Sequence, residues 1–237
     1  MKTNRAIIGL VDADLLDGGT RHPNLALLKI AGFLYDNSIE FELIEDSKAD
    51  ISKYSRIYLS KVFTFTKLPQ FYYTAQCNVD NAKFVIGGTG FYANETNINK
   101  FKQQRLNDMQ ALENDEFLCM YDNKRGGENL KGINMANQMP YYHLYDNYIA
   151  NKIKAGKKES YYKDYLKYSI GFLTRGCFRH CPFCVNKLEN TIKPYSRLDS
   201  FLDNQRDEAG RLLRPYIYLW DDNFLASPRD VWYPILQ

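Results

Sequence analysis

The stretch AIIGLVDADLLDGG, residues 6–19, decides the reading of the first half of the chain. Ala6–Val11 is an unbroken apolar run without polar alternation, the pattern of a strand covered on both faces. Beyond it Pro23 suits the first turn of a helix, and Leu27, Ile30, Ala31, Leu34 and Tyr35 recur at helical spacing as one buried stripe. Glu40–Glu45, Arg56–Ser60 and Lys83–Ile86 read as further strands, the last running into Gly87-Gly88-Thr89-Gly90. Strand–helix alternation of this kind predicts a doubly wound α/β domain with a parallel sheet. Ligands in such sheets sit beyond the carboxyl ends of the strands, which singles out the loops Asp12–Arg21 and Gly87–Gly90. Gly87 and Gly88 either let the backbone approach a phosphate or nucleotide tail, or simply turn the chain.

Composition bounds the rest. The chain has 237 residues, and 31 Lys+Arg against 28 Asp+Glu leave a charge of +3, too mild to imply a polyanionic partner by itself. Apolar residues at 45% and charged residues at 25% exclude wholesale disorder. No run approaches the roughly 18 apolar residues of a membrane span. Asp12 and Asp14 interrupt the N-terminal run before any signal-peptide core, so the expected location is cytoplasmic. Five cysteines, an odd number, do not form a secreted disulfide framework. Cys77 and Cys119 read as small buried hydrophobes, and His22 and His143 show no partner in the sequence.

Further along, Phe101–Leu112 reads as a helix, Phe117–Tyr121 as a strand, and the Gly-rich stretch 123–132 as a domain edge. Asn151–Lys167 mixes lysines with tyrosines, the composition of a nucleic-acid patch or of a solvated connector. Tyr168–Leu173 then reads as a strand. Leu198, Phe201, Leu202, Gln205 and Ala209 form a helical stripe ending at Gly210. Tyr216–Trp220 is a strand that leads into Asp221-Asp222-Asn223, and Arg229–Leu236 starts another helix.

Between these strands lie Cys177, Cys181 and Cys184. Three thiolates on one loop suit a soft metal or an iron–sulfur cluster. Structural zinc wants a fourth ligand, for which His180 is nearest, whereas a cubane held by three thiolates leaves one iron open.

Thr174-Arg175-Gly176-Cys177-x3-Cys181-x2-Cys184, with Phe183 before the last cysteine, resembles the signature of radical SAM enzymes. The resemblance implies a [4Fe-4S] cluster on Cys177, Cys181 and Cys184, with S-adenosylmethionine (SAM) chelated to the fourth iron. An external electron donor would drive reductive cleavage of SAM to a 5′-deoxyadenosyl radical. It also implies that Phe183 lies near the adenine and that Asp221, Asp222 and Asn223 help hold the methionine moiety. The order of segments is similar to that of radical SAM proteins with an N-terminal cobalamin-binding-like domain. On that likeness residues 1–122 are a flavodoxin-like, cobalamin-binding-like domain, with Gly87 and Gly88 on its cofactor loop. Residues 123–165 are a connector, and 166–237 are the first strand–helix units of a partial TIM-like barrel. Asp14 stands where such domains carry a cobalt-ligating histidine, so any cobalamin would bind without a histidine lower ligand. Only two of the roughly six strand–helix units of such a core are legible, so it reads as truncated or completed by another polypeptide. The alternative from a different class is a non-catalytic metal-binding or interaction module with zinc at the cysteine loop.

Overall fold

A computed structural model describes residues 7–76, 83–112, 115–120, 134–181, 184–186 and 190–236. The chain divides into two units, one formed by residues 1–135 and 140–165, the other by 136–139 and 166–237.

The first unit is α/β, built on four parallel strands. These are β1 (Ile7–Asp12), β2 (Phe41–Leu43), β3 (Tyr54–Ser60) and β4 (Phe84–Gly87), in the order β2-β1-β3-β4. The chain leaves β1 toward one edge and returns across it to β3, so the order reverses between β1 and β3. Apolar side chains cover both faces. Val11, Ile57 and Leu59 form one core with Phe71 and Tyr72 of α3 (Gln70–Gln76). Helix α2 (Leu25–Asp36) packs against β1 and β3, with Leu27, Leu28 and Leu34 fully buried. Asn24 caps α2 by accepting the Leu27 N–H at 3.2 Å, which puts the helix start just past Pro23. Tyr35, expected on the buried stripe, is 62% exposed and instead stacks on Tyr141 at 4.8 Å.

Register aligns the carboxyl ends of three strands of this sheet. Asp12 pairs with Ser60 and Ser60 with Gly87, so three strand ends lie in one row. The first unit also contains α1 (Ala13–Asp17), which packs against β3, and α4 (Ile98–Gln110), α5 (Glu116–Met120) and α6 (Asp146–Lys154). The expected strand at 117–121 is helical from Glu116 to Met120. Buried Asp115 accepts the Leu118 N–H at 3.1 Å, and this cap commits the backbone to a helix. The stretch 123–132 and Cys77 lie outside the described residues, as does the side chain of Cys119.

The second unit follows α7 (Lys163–Lys167). Strand β5 (Tyr168–Gly171) pairs in parallel with β8 (Tyr216–Leu219), and β6 (Thr174–Arg175) pairs antiparallel with β7 (Lys193–Pro194). Helix α8 (Arg229–Leu236) closes the described chain. The helix expected over 198–209 does not form: after one 3₁₀ turn, Leu198–Ser200, the chain is irregular. Aspartates compete for its backbone. Asp203 accepts the Gln205 N–H, and Asp207 accepts the N–H groups of Ala209 and Arg211 at 3.0 and 2.9 Å. Arg206 and Leu212 then bridge across the turn. Phe201 is still fully buried, as its place in the apolar pattern requires. No helix among the described residues is long and apolar enough to cross a membrane.

Candidate functional site

Two strand-end sites emerge, one in each unit. In the first, Asp12 ends β1 with 1% of its surface exposed. Its carboxylate accepts the Leu15 N–H at 3.1 Å, capping α1, and the Tyr145 hydroxyl at 2.9 Å. That hydroxyl accepts the Asn24 N–H at 3.2 Å, and the Asn24 side-chain amide donates to Ser60 Oγ at 2.8 Å. Burial pushes the Asp12 carboxyl up to about 7, against the opposing pull of these hydrogen bonds. Asp14 crosses to the loop after β3. It accepts the N–H groups of Val62 at 2.7 Å and Phe63 at 3.2 Å, and the Thr66 hydroxyl.

Gly87 ends β4 in the same row, and Gly88 follows it. The Gly88 N–H donates to Asp108 of α4 at 2.7 Å, and the Gly90 N–H donates to the Lys61 carbonyl at 3.0 Å. Gly88 has φ +106, and a Cβ there would stand 2.3 Å from the Lys61 carbonyl oxygen, so only glycine fits. Both glycines line an apolar cavity of about 140 Å³ with Tyr58, Ser60 and Asp108. The Gly88 and Gly90 N–H groups are thus already used within the protein.

The second site lies at the paired ends of β5 and β8. The chain leaves β8 through Trp220, whose N–H donates to the Gly171 carbonyl, and reaches Asp221. The Asp221 carboxylate accepts the Leu173 N–H at 3.0 Å, the Thr174 N–H, and the Thr174 hydroxyl at 2.6 Å. Asp222 accepts the Gly176 N–H at 2.9 Å, and Asn223 Nδ2 lies 3.6 Å from Cys177 Sγ. Gly176 has φ +101, a conformation that side chains rarely allow, and it turns the chain into the cysteine loop. Opposite, the Arg175 guanidinium lies over the Phe172 ring at 4.2 Å and 5.7 Å from that of Tyr195.

The three cysteines are free and half-buried. Cys177 Sγ accepts the Arg179 N–H and Cys184 Sγ the Asn186 N–H, each at 3.4 Å. The Cys184 N–H donates to the Cys181 carbonyl at 3.0 Å. Among the described residues no three His, Cys, Asp or Glu side chains gather closely enough to hold a metal. Sulfur donors on a short loop, with N–H groups aimed at two of them, fit a thiolate-ligated group in donor chemistry.

The structure therefore brings Asp221, Asp222 and Asn223 together with the start of the cysteine loop, while Gly87 and Gly88 belong to the first unit. Phe183 lies outside the described residues. Sequence reasoning missed the Asp14 bridge and the buried Asp203–Arg214 ion pair at 2.6 Å, because each joins segments that no local pattern connects. It also left His22 and His143 without roles, whereas they contact Asp164 at 2.6 Å and Asp146 at 2.7 Å. Comparison with protein-family models, curated proteins and solved structures finds no match to this chain.

Proposed function

We propose that this chain carries the cluster-binding part of a radical SAM enzyme, with Cys177, Cys181 and Cys184 holding a [4Fe-4S] cluster and SAM as co-substrate. The observation that carries the reading is the Cys-x3-Cys-x2-Cys loop itself. It follows β5 and the short β6, and it is anchored at its root by carboxylates just beyond β8, the parallel neighbour of β5. When bound, such a cluster supplies, from an external donor, the electron that cleaves SAM reductively.

The protein's own residues do three things. Asp221 and Asp222 accept backbone N–H groups of Leu173, Thr174 and Gly176, setting where the loop departs. The N–H groups of Arg179 and Asn186 point at sulfur and would stabilise negative charge on the thiolates. On this reading Asn223, 3.6 Å from Cys177 Sγ, and the exposed Asp222 are the polar groups that would hold the methionine end of SAM. On the same reading the first unit is the cobalamin-binding-like domain, in which Asp14 offers no histidine to a cobalt ion.

The test is metal and sulfide content after anaerobic reconstitution, with electron paramagnetic resonance of the reduced protein with and without SAM. About four irons per chain and a SAM-dependent spectrum are expected. Replacing Cys177, Cys181 or Cys184 by alanine abolishes iron incorporation, while Cys77→Ala and Cys119→Ala leave it unchanged. One zinc and no iron would instead assign the loop to a structural metal, and the enzyme reading would fall.

A further inference from the structure

A cavity of about 910 Å³ opens in the first unit between the loop that follows α1 and the segment running from α6 to α7. Five cationic side chains line it: Arg21, Lys152, Lys157, Lys158 and Lys163. Its two carboxylates already have partners. Asp164 meets His22 Nδ1 at 2.6 Å, and Asp17 accepts the Lys67 N–H at 3.1 Å. Among the described residues no carboxylate forms an ion pair with Arg21, Lys157 or Lys158, and all three are exposed. Like charges gathered around one concavity repel each other, and an anion placed there relieves that repulsion.

The walls add aromatic surface. The Arg21 guanidinium lies 5.6 Å from the ring centre of Tyr161, and Lys152 Nζ lies 5.0 Å from that of Tyr148. These contacts hold two of the cations against the wall without neutralising them. Tyr161 itself is 41% exposed and lines the cavity. The Gly18 and Gly19 N–H groups donate to the Asp14 and Leu15 carbonyls, so recognition of an anion falls to side chains and not to the loop backbone. No atom stands within 4 Å of where a Cβ would be at either glycine, which leaves the mouth open.

The volume lies within the roughly 300–1,000 Å³ of small-molecule sites and suits a compact ligand better than the long track a nucleic-acid strand follows. Lysines act as point charges for phosphates, and an exposed tyrosine ring offers a stacking face. We infer that this cavity binds a nucleoside polyphosphate, its phosphates on Arg21, Lys152, Lys157 and Lys158 and its base against Tyr161. The site is confined to the first unit and requires nothing of the cysteine loop, so its fate and that of the cluster are decided separately.

Calorimetric titration of the full chain with ATP, tripolyphosphate and adenosine, in metal-free low-salt buffer, tests the inference. ATP binds with a micromolar Kd, tripolyphosphate more weakly, and adenosine without measurable heat. The double variant Lys157→Ala/Lys158→Ala weakens ATP by about tenfold or more with an unchanged Tm, since both residues are exposed. Tyr161→Ala weakens ATP by about threefold or more and tripolyphosphate by less, since it removes the face for the base as well as the ring beside Arg21. Absence of ATP binding at millimolar concentration, or equal ATP affinity in the double variant, overturns the site. So does tighter binding of a short single-stranded RNA through the same lysines, which would make the cavity part of a nucleic-acid interface.

Discussion

The two units use one device at the ends of their parallel strands and surround it differently. Asp14 lies two residues beyond β1 and takes the N–H groups of Val62 and Phe63, the second and third residues beyond β3. Asp221 lies two residues beyond β8 and takes those of Leu173 and Thr174, the second and third residues beyond β5. A threonine hydroxyl, Thr66 in one case and Thr174 in the other, completes each set. A chain leaving the carboxyl end of a parallel strand loses its ladder partners, and a carboxylate from the adjacent strand replaces them. In the first unit the carboxylate is buried and the stapled loop returns to a finished core. In the second it is half-buried, and the stapled loop carries three thiols. The same local chemistry thus closes one loop and presents another.

That comparison predicts unequal costs. Asp14→Ala strips two N–H groups and a hydroxyl of their acceptor in a buried site and should destabilise the first unit by about 3–5 kcal/mol. Asp221→Ala removes an equivalent set where water can substitute, and about 1–3 kcal/mol is expected. Urea unfolding separates the two, because both tryptophans, Trp220 and Trp232, lie in the second unit and their fluorescence reports it alone, while far-UV circular dichroism reports both. Equal losses would break the contrast.

A second difference is electrostatic. Burial raises Asp12 to about 7, so between about pH 4 and pH 7 the folded chain holds more protons on this group than the unfolded chain does. Its contribution to stability is therefore most favourable below pH 4, declines as pH rises through that window, and is level above about pH 7. Asp12→Asn keeps an acceptor for the Leu15 N–H, turns an amide donor toward the Tyr145 hydroxyl oxygen and cannot ionise. It should exceed the parent in stability by about 2–4 kcal/mol at pH 8, with the gap closing toward pH 4. A gap independent of pH would show that Asp12 does not titrate in this window.

The smallest expected effect sharpens the contrast between the sheets. Ile57→Ala, at a fully buried position of β3, should cost about 2–5 kcal/mol, whereas Ile217→Ala, 46% exposed on β8, should cost less than about 1 kcal/mol. A large loss at Ile217, read from the fluorescence transition, would mean that this face of β8 is covered in solution.

The strands of the two parallel sheets were legible because each is written locally, whereas the short antiparallel pair β6–β7 was not. Ile8, Leu10 and Val11 form an apolar run that only a strand with two covered faces can bury, and all three are fully buried. The helical stripe 198–209 misled because spacing alone carries no information about Asp203 and Asp207, whose short side chains capture nearby backbone N–H groups. Phe117–Tyr121 misled for a related reason, since one capping aspartate outweighs β propensity in a five-residue segment.

What the sequence alone determined, then, is the alternation of strand and helix in the first unit and the spacing of Cys177, Cys181 and Cys184, since periodicity and spacing are properties of neighbouring residues. Only the tertiary structure decided that Asp14 and Asp221 staple loops 48 residues away along the chain. It alone gathered Arg21 and the lysines of 152–163 around one cavity. Those arrangements depend on strand order and register, which are settled by burying whole faces at once and not by any short run of residues.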